Sequence, residues 1–234
     1  MKADEAAARR DWRWIAFGKL LPGATFGLLA GANAELVLSD AGDIAALDAS
    51  RMGVIAGRLL TMMIPLAILI AYLVRRPASR SDRAPLAALL AVTGAVLPVA
   101  IPVVQHALGL PGTPPSPATI LGANLLLGAS SMFALWALAC LRTSFSILPE
   151  ARNLRTAGPY GIVRHPLYIA EIAAACGTAM LLGSPWVWLA VAAFAAVQFG
   201  RALREERVLV ATLAGYADYR RATGMLLPRI RARA

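Results

Sequence analysis

The chain has 234 residues, 59% of them hydrophobic and 15% charged, with a formal net charge of +10 and a mean hydropathy of +0.63. Soluble domains average about 45–50% apolar and about 25% charged, so this composition excludes an ordinary water-soluble globule. The positive charge alone would suit nucleic acid, but its placement along the chain argues against that partner.

A helix needs about 20 mostly apolar residues to cross a bilayer. Six stretches qualify as candidates: 14–38, 52–74, 84–108, 118–141, 167–183, and 186–198 running on into the next helix. The fifth is short and pairs with the sixth as a tight hairpin around Gly183-Ser184-Pro185. The runs are rich in Ala and Leu and lack period-two alternation, which disfavours strands. An open sheet would also leave backbone groups unsatisfied in lipid. The expected fold is all-α, a polytopic transmembrane helical bundle of about six spans. The first apolar stretch is too long for a secretory signal, and no small-residue cleavage site follows a short apolar core.

Basic residues cluster before the first span (Lys2, Arg9, Arg10, Arg13), between spans two and three (Arg75, Arg76, Arg80, Arg83), between four and five (Arg142, Arg152, Arg155, Arg164), and from Arg201 onward. The alternate loops carry Asp40, Asp43 and Asp48 against Arg51, or no charge. This is the positive-inside pattern, and it implies cytoplasmic termini. Anionic lipid headgroups suit such a basic face better than nucleic acid does. Cys140 and Cys176 fall in apolar spans and read as small packing residues. His106 and His165 fall on opposite expected sides of the membrane, which argues against a histidine metal centre.

The sequence divides functionally at about residue 141. Residues 1–141 hold four spans with few polar groups; residues 142–234 hold a basic loop, the helical hairpin and a charged tail. "GLPGTPPSP" at 109–117 reads as an outer turn. Pro65, Pro98 and Pro102 fall inside spans, where lipid-buried helices accept them as kinks. Glu35, Arg58, Gln105, Asn124 and Gln198 are candidate interhelical hydrogen-bond partners, with Arg58 placed to snorkel. Glu171 differs, because it lies about 8 Å into the fifth helix at 1.5 Å per residue. An ionisable group at that depth is costly and points to function.

The richest segment is "GPYGIVRHPLY" at 158–168. Pro159 turns the chain at Gly158. Pro166 suits the first turn of a helix, which makes His165 its cap. Unbonded N–H groups at that helix start, together with Arg164, would suit an anionic group. Tyr160 and Tyr168 suit a flat ring or the membrane interface. Read from these residues alone, the segment is either such a binding loop or a proline-punctuated helix start. In "RALREERVL", Arg201 and Glu205 share a helical face, with Glu206 about 100° round. They form either a solvated helix end or a charged site.

The run "SFSILPEARNLRTAGPYGIVRHPLY", followed by the hairpin, "RALREERVL", "YADYRR" and "LLPR", resembles the isoprenylcysteine carboxyl methyltransferase family, which in turn resembles membrane phospholipid N-methyltransferases. The resemblance spans about 144–230. It implies a helical bundle with a C-terminal pocket for S-adenosylmethionine at the cytoplasmic interface. Carried over, cofactor-binding residues are Tyr160, Val163, Arg164, His165, Pro166, Tyr168, Glu205 and Glu206. Arg201, Glu206 and Glu171 become the catalytic candidates, with Arg201 toward the substrate. The tail departs from the family at "LAGYADY", where a phenylalanine usually precedes the glycine, so the contacts of Tyr216 and Tyr219 stay open. The implied substrate is lipophilic and isoprenylcysteine carboxylate-like, with a lipid amine or thiol as the alternative. The many Ala and Arg residues are prokaryote-like, so the expected location is a bacterial inner membrane. A sterol-type reductase using NADPH has a similar C-terminal region and is the competing enzyme class. A transporter would show paired broken helices and repeat symmetry, and neither is seen in this sequence.

Overall fold

The computed structural model describes residues 21–40, 48–74, 80–81, 85–141, 150–151, 154 and 156–229. The long helices are α1 (Leu21–Asp40), α2 (Ala49–Val74), α3 (Pro85–Ala107), α4 (Pro117–Leu141), α5 (Pro166–Leu182) and α6 (Pro185–Thr212). A short α7 (Tyr216–Ala222) follows. The all-α expectation holds, apart from a two-residue antiparallel pairing, β1 (Arg80–Ser81) with β2 (Glu150–Ala151).

Each long helix falls on one of the six apolar stretches. Those stretches at Ala49–Ala71, Pro117–Leu141 and Pro185–Thr212 are long and apolar enough to cross a membrane, and α5 is a shorter apolar helix. The start of the first expected span lies outside the described residues, as do the basic clusters at 2–13 and 75–76, Arg83, Asp43, and Arg142, Arg152 and Arg155 of the loop before α5.

Helix boundaries follow local chemistry. The Asp48 carboxylate accepts the Arg51 N–H at 2.8 Å, and the Ser116 hydroxyl accepts the Thr119 N–H at 3.2 Å, each satisfying an N–H that a helix start leaves open. Pro166 and Pro185 stand at the first turn of their helices. Between them, Gly183 adopts φ 59°, and a Cβ there would run into the Thr113 carbonyl. Thr113 in turn donates its N–H to the Gly183 carbonyl at 3.0 Å. The expected hairpin is thus present and tied to the 109–117 turn.

Lipid-embedded helices associate by close packing and interhelical hydrogen bonds, the latter worth about 0.6 kcal/mol each on average. Gly177 of α5 lies against Leu127 and the Ala123 carbonyl of α4, with no room for a side chain. Asn124 donates to the Gly53 carbonyl of α2 at 3.0 Å, and Gln105 donates to the Leu182 carbonyl at 3.4 Å. Both amides are therefore interhelical partners, as expected. Glu35 is exposed, and so is His106 at the end of α3. Cys140 and Cys176 are free thiols. The bundle brings the start of α5 and the C-terminal half of α6 side by side.

Candidate functional site

The segment before α5 is a 3₁₀ turn over Gly158–Gly161. Gly158 has φ 62°, and a side chain there would strike the Cys140 sulfur and the Trp136 indole. Glycine is required here on both counts. The turn buries Pro159 and Tyr160 against α4 and leads into Val163, Arg164 and His165.

The chain's C-terminal segment docks on this loop. Val163 bridges to Gly224, the Arg164 N–H donates to the Gly224 carbonyl at 2.8 Å, and the His165 N–H donates to the Met225 carbonyl at 3.1 Å. The expectation of open N–H groups for an anion is corrected at these two residues, because the docked tail uses them. His165 is the N-cap residue of α5, as expected, but its side chain makes no capping hydrogen bond.

That imidazole turns instead toward α6. Its Nε2 lies 3.3 Å from Glu206 Oε1, and its Nδ1 lies 3.7 Å from Glu205 Oε2. Arg164 donates Nε to Glu206 at 2.7 Å and brings Nη2 to 2.6 Å from the same oxygen. Its Nη1 donates to the carbonyls of Arg220, at 2.9 Å, and Thr223. Arg220 closes on the other Glu206 oxygen at 3.2 Å. Glu206 is thus a buried carboxylate held by three basic side chains, which is how an interior charge is tolerated.

Glu205, on the neighbouring face, stays more open. Its side chain is 26% exposed against 5% for Glu206, and it accepts the Tyr168 hydroxyl at 2.9 Å. The Tyr168 ring stacks on His165, with centroids 5.3 Å apart and planes 6° apart. The Arg201 guanidinium covers that ring, 4.8 Å from its centroid. Arg201 also donates to Gln198 Oε1 at 2.6 Å, and the Gln198 amide donates to Glu171. A continuous polar chain therefore runs Glu171–Gln198–Arg201–Tyr168–Glu205, beside the Arg164–Glu206–His165 cluster. Residues 118–214, which contain this whole chain, match the family model for phospholipid methyltransferases.

The match covers less than half of the sequence and supports a membrane methyltransferase of the phospholipid or isoprenylcysteine type. No curated protein matches the chain. The ten candidate site residues fall on the loop before α5, the first turns of α5 and the C-terminal half of α6. Tyr160, Val163, Arg164, His165, Pro166 and Tyr168 lie on the loop and helix start. Arg201, Glu205 and Glu206 lie on α6, and Glu171 lies one turn beyond Tyr168 on α5.

Four contributors went unrecognised. The sequence marks Gln198 only as an interhelical partner, although its place three residues before Arg201, on the same helix face, is the available signal. Arg220, Thr223 and Gly224 lie beyond the matched segment, in a tail whose departure from the family pattern hid its docking. Tyr216 and Tyr219 are resolved by that docking. They are buried edge to face with centroids 5.7 Å apart, and the Tyr219 hydroxyl donates to the Tyr160 carbonyl at 2.6 Å. Burial raises the phenol pKa of Tyr160, with the negative Glu205 adding to it, raises that of Tyr216, with Glu206 and Glu205 adding to it, and pushes Tyr219 up to about 12.

Proposed function

We propose that the protein is an integral-membrane, S-adenosylmethionine-dependent methyltransferase acting on a lipophilic substrate, with six spans and both termini in the cytoplasm of a bacterial inner membrane. Residues 142–234 form its methyltransferase core on this reading, and residues 1–141 form a four-span N-terminal portion. One observation carries the proposal. Within the segment matching phospholipid methyltransferases, the loop before α5 and the inner half of α6 converge on Glu205 and Glu206 through Arg164, His165 and Tyr168.

The donor set fits S-adenosylmethionine chemically. Glu205, partly open and oriented by Tyr168, suits an ammonium or the ribose hydroxyls. Arg220, whose side chain is 55% exposed while it pairs with Glu206, suits the carboxylate. The tyrosine and histidine faces suit adenine. When bound, the cofactor supplies an electrophilic methyl group on sulfonium sulfur.

The chain's own part is positioning and exclusion of water, the main needs of an in-line displacement. Arg164 and His165 fix Glu206, and Glu206 fixes the loop. Arg201, held by Gln198 and the Tyr168 ring, is placed toward a substrate carboxylate, which needs only orientation. Glu171 is placed to take the proton of an amine or thiol acceptor. An isoprenylcysteine-like acid and a lipid amine or thiol therefore both belong to the proposal. The NADPH-dependent alternative wants extra Arg or Lys for a 2′-phosphate, and comparing binding of the two cofactors separates the readings.

The test is transfer of label from methyl-labelled S-adenosylmethionine into the organic phase by membranes containing the protein, with offered prenylcysteine analogues and phospholipid amines. Label in any lipophilic product above that of membranes lacking the protein supports the reading. None with any acceptor counts against it.

A further inference from the structure

Gly94 stands inside α3, a span outside the segment that matches phospholipid methyltransferases. Glycine in a helix interior is less stable than alanine, so packing has to offset its presence. Elsewhere in the bundle the offset is close approach of apolar groups and backbone. Gly53 faces Ile120, and Gly177 faces Leu127 and the Ala123 carbonyl. Gly94 differs. A Cβ there would lie 2.5 Å from Arg201 Nη1, 2.8 Å from Arg201 Cδ and 2.8 Å from Gln198 Oε1. Among the described helical glycines, it alone abuts a charged side chain.

The missing side chain leaves room for the guanidinium. Arg201 and Gln198 are 7% and 0% exposed. Three groups bound the head of Arg201: the Gly94 backbone, Gln198 Oε1 at 2.6 Å, and the Tyr168 ring at 4.8 Å from its centroid. An alanine methyl at 94 therefore moves Arg201 off Gln198, off Tyr168, or off both. Pro98, one turn further along α3, has no N–H to offer the Gly94 carbonyl. The wall beside the cation thus carries an acceptor without its usual helical donor, a lack that lipid-buried helices tolerate where a neighbour compensates. Gly200, next to Arg201 on α6, makes the contrast. A Cβ there would meet only Leu90 Cδ1 of α3, at an ordinary 3.9 Å. The α3–α6 contact accepts a methyl at 200 and refuses one at 94.

We propose that Gly94 is a positioning residue: it seats the Arg201 guanidinium on Gln198 and the Tyr168 ring, and through Arg201 it sets how the substrate's acceptor group is oriented. The second half rests on the methyltransferase reading, while the seating of Arg201 is testable without it.

The full chain in detergent, without S-adenosylmethionine, is treated with phenylglyoxal, which condenses with guanidinium nitrogens. The adduct on Arg201 is measured by mass spectrometry against that on Arg221, whose side chain is 75% exposed. Gly94→Ala is expected to raise the Arg201 rate about tenfold, the ratio for loss of one hydrogen bond to a charged group. Gln198→Leu should raise it as much, and the double variant no further, because both changes act through one contact. Gly200→Ala should stay at the wild-type rate. An unchanged rate in Gly94→Ala, an equal rise in Gly200→Ala, or multiplied rises in the double variant overturn the seating. Should Gly94→Ala lower the unfolding temperature, Gly94→Ala/Arg201→Ala should unfold where Arg201→Ala alone does, since the struck atoms are gone. A further fall in the double overturns the proposal as well. In the methyl-transfer assay, Gly94→Ala should lower kcat about tenfold with S-adenosylmethionine affinity within about twofold; a loss of cofactor affinity with kcat kept overturns the positioning role. Absence of transfer by the unaltered chain strikes the methyltransferase reading and leaves the Arg201 result standing.

Discussion

Arg164 and Glu206 are 42 residues apart in the chain and 2.6 Å apart in space, with side chains only 8% and 5% exposed. The pair fastens the loop before α5 to the C-terminal half of α6. His165 and Arg220 reach the same carboxylate, so one side chain gathers loop, helix and tail. Removing one partner of a buried pair costs about 3–5 kcal/mol, since the other charge is stranded. Glu206→Ala should lose that much stability in denaturant unfolding of the detergent-solubilised protein. Glu206→Gln, which keeps one acceptor oxygen, should lose less while still raising the S-adenosylmethionine concentration required.

Tyr168 serves through both its hydroxyl and its ring. Tyr168→Phe removes the hydrogen bond that orients Glu205 and keeps the stack on His165. Affinity for S-adenosylmethionine should drop about tenfold, the lower end for a hydrogen bond to a charged group. Tyr168→Ala also loses the His165 stack and the surface beneath Arg201, and should bind more weakly still. Equal affinities for the two variants would show that only the hydroxyl matters.

The tail can be tested through pH. With its pKa pushed up to about 12, the Tyr219 phenol is held neutral in the folded protein while an unfolded tyrosine ionises near pH 10. The associated stability is complete below about pH 10 and is lost as pH rises toward 12. Tyr219→Phe should lower stability at pH 8 by about 1–3 kcal/mol, because the buried Tyr160 carbonyl loses its donor. The variant should also show a shallower decline above pH 10. Hydrogen exchange at Arg164 and His165 should quicken in the variant as residues 223–225 loosen their hold on the loop.

The bundle was legible because lipid imposes a simple rule: apolar runs of sufficient length must be helices. All six runs became helices, and the prolines at 166 and 185 marked helix starts to within a residue. The residues of "GPYGIVRHPLY" were also found together, since turn chemistry confines them locally. What the sequence concealed was partner choice. Arg164 looked available to an anion, but a buried guanidinium needs a carboxylate and carbonyls nearby, and these come from α6 and a tail some 40 to 60 residues later. Gln198 was hidden for a related reason. An amide in an apolar run satisfies many roles, and only the packing of α5 on α6 sets it between Glu171 and Arg201.

The proposed roles predict that this relay serves turnover rather than cofactor binding. Gln198→Leu keeps the volume roughly constant but breaks the contacts to Glu171 and Arg201. With Tyr168, Glu205 and Glu206 untouched, S-adenosylmethionine affinity should stay within about twofold, since surface-like effects beyond the altered contacts are about 0.5 kcal/mol or less. Turnover with whichever lipophilic acceptor is found should drop about 10- to 100-fold, as for loss of one charge-assisted contact. Arg201→Ala should do the same. A large loss of cofactor affinity in either variant would move Arg201 from the substrate side to the cofactor side.

The central claim is that the Glu205–Glu206 cluster is a methyl-donor site, and calorimetry on the detergent-purified full chain tests it most directly. S-adenosylmethionine and S-adenosylhomocysteine should both bind with one site per chain, NADPH should give no heat, and His165→Ala should weaken both bound ligands while thermal unfolding stays cooperative. Binding of NADPH without either methyl-donor ligand, or S-adenosylmethionine affinity unchanged in both His165→Ala and Tyr168→Ala, would contradict it.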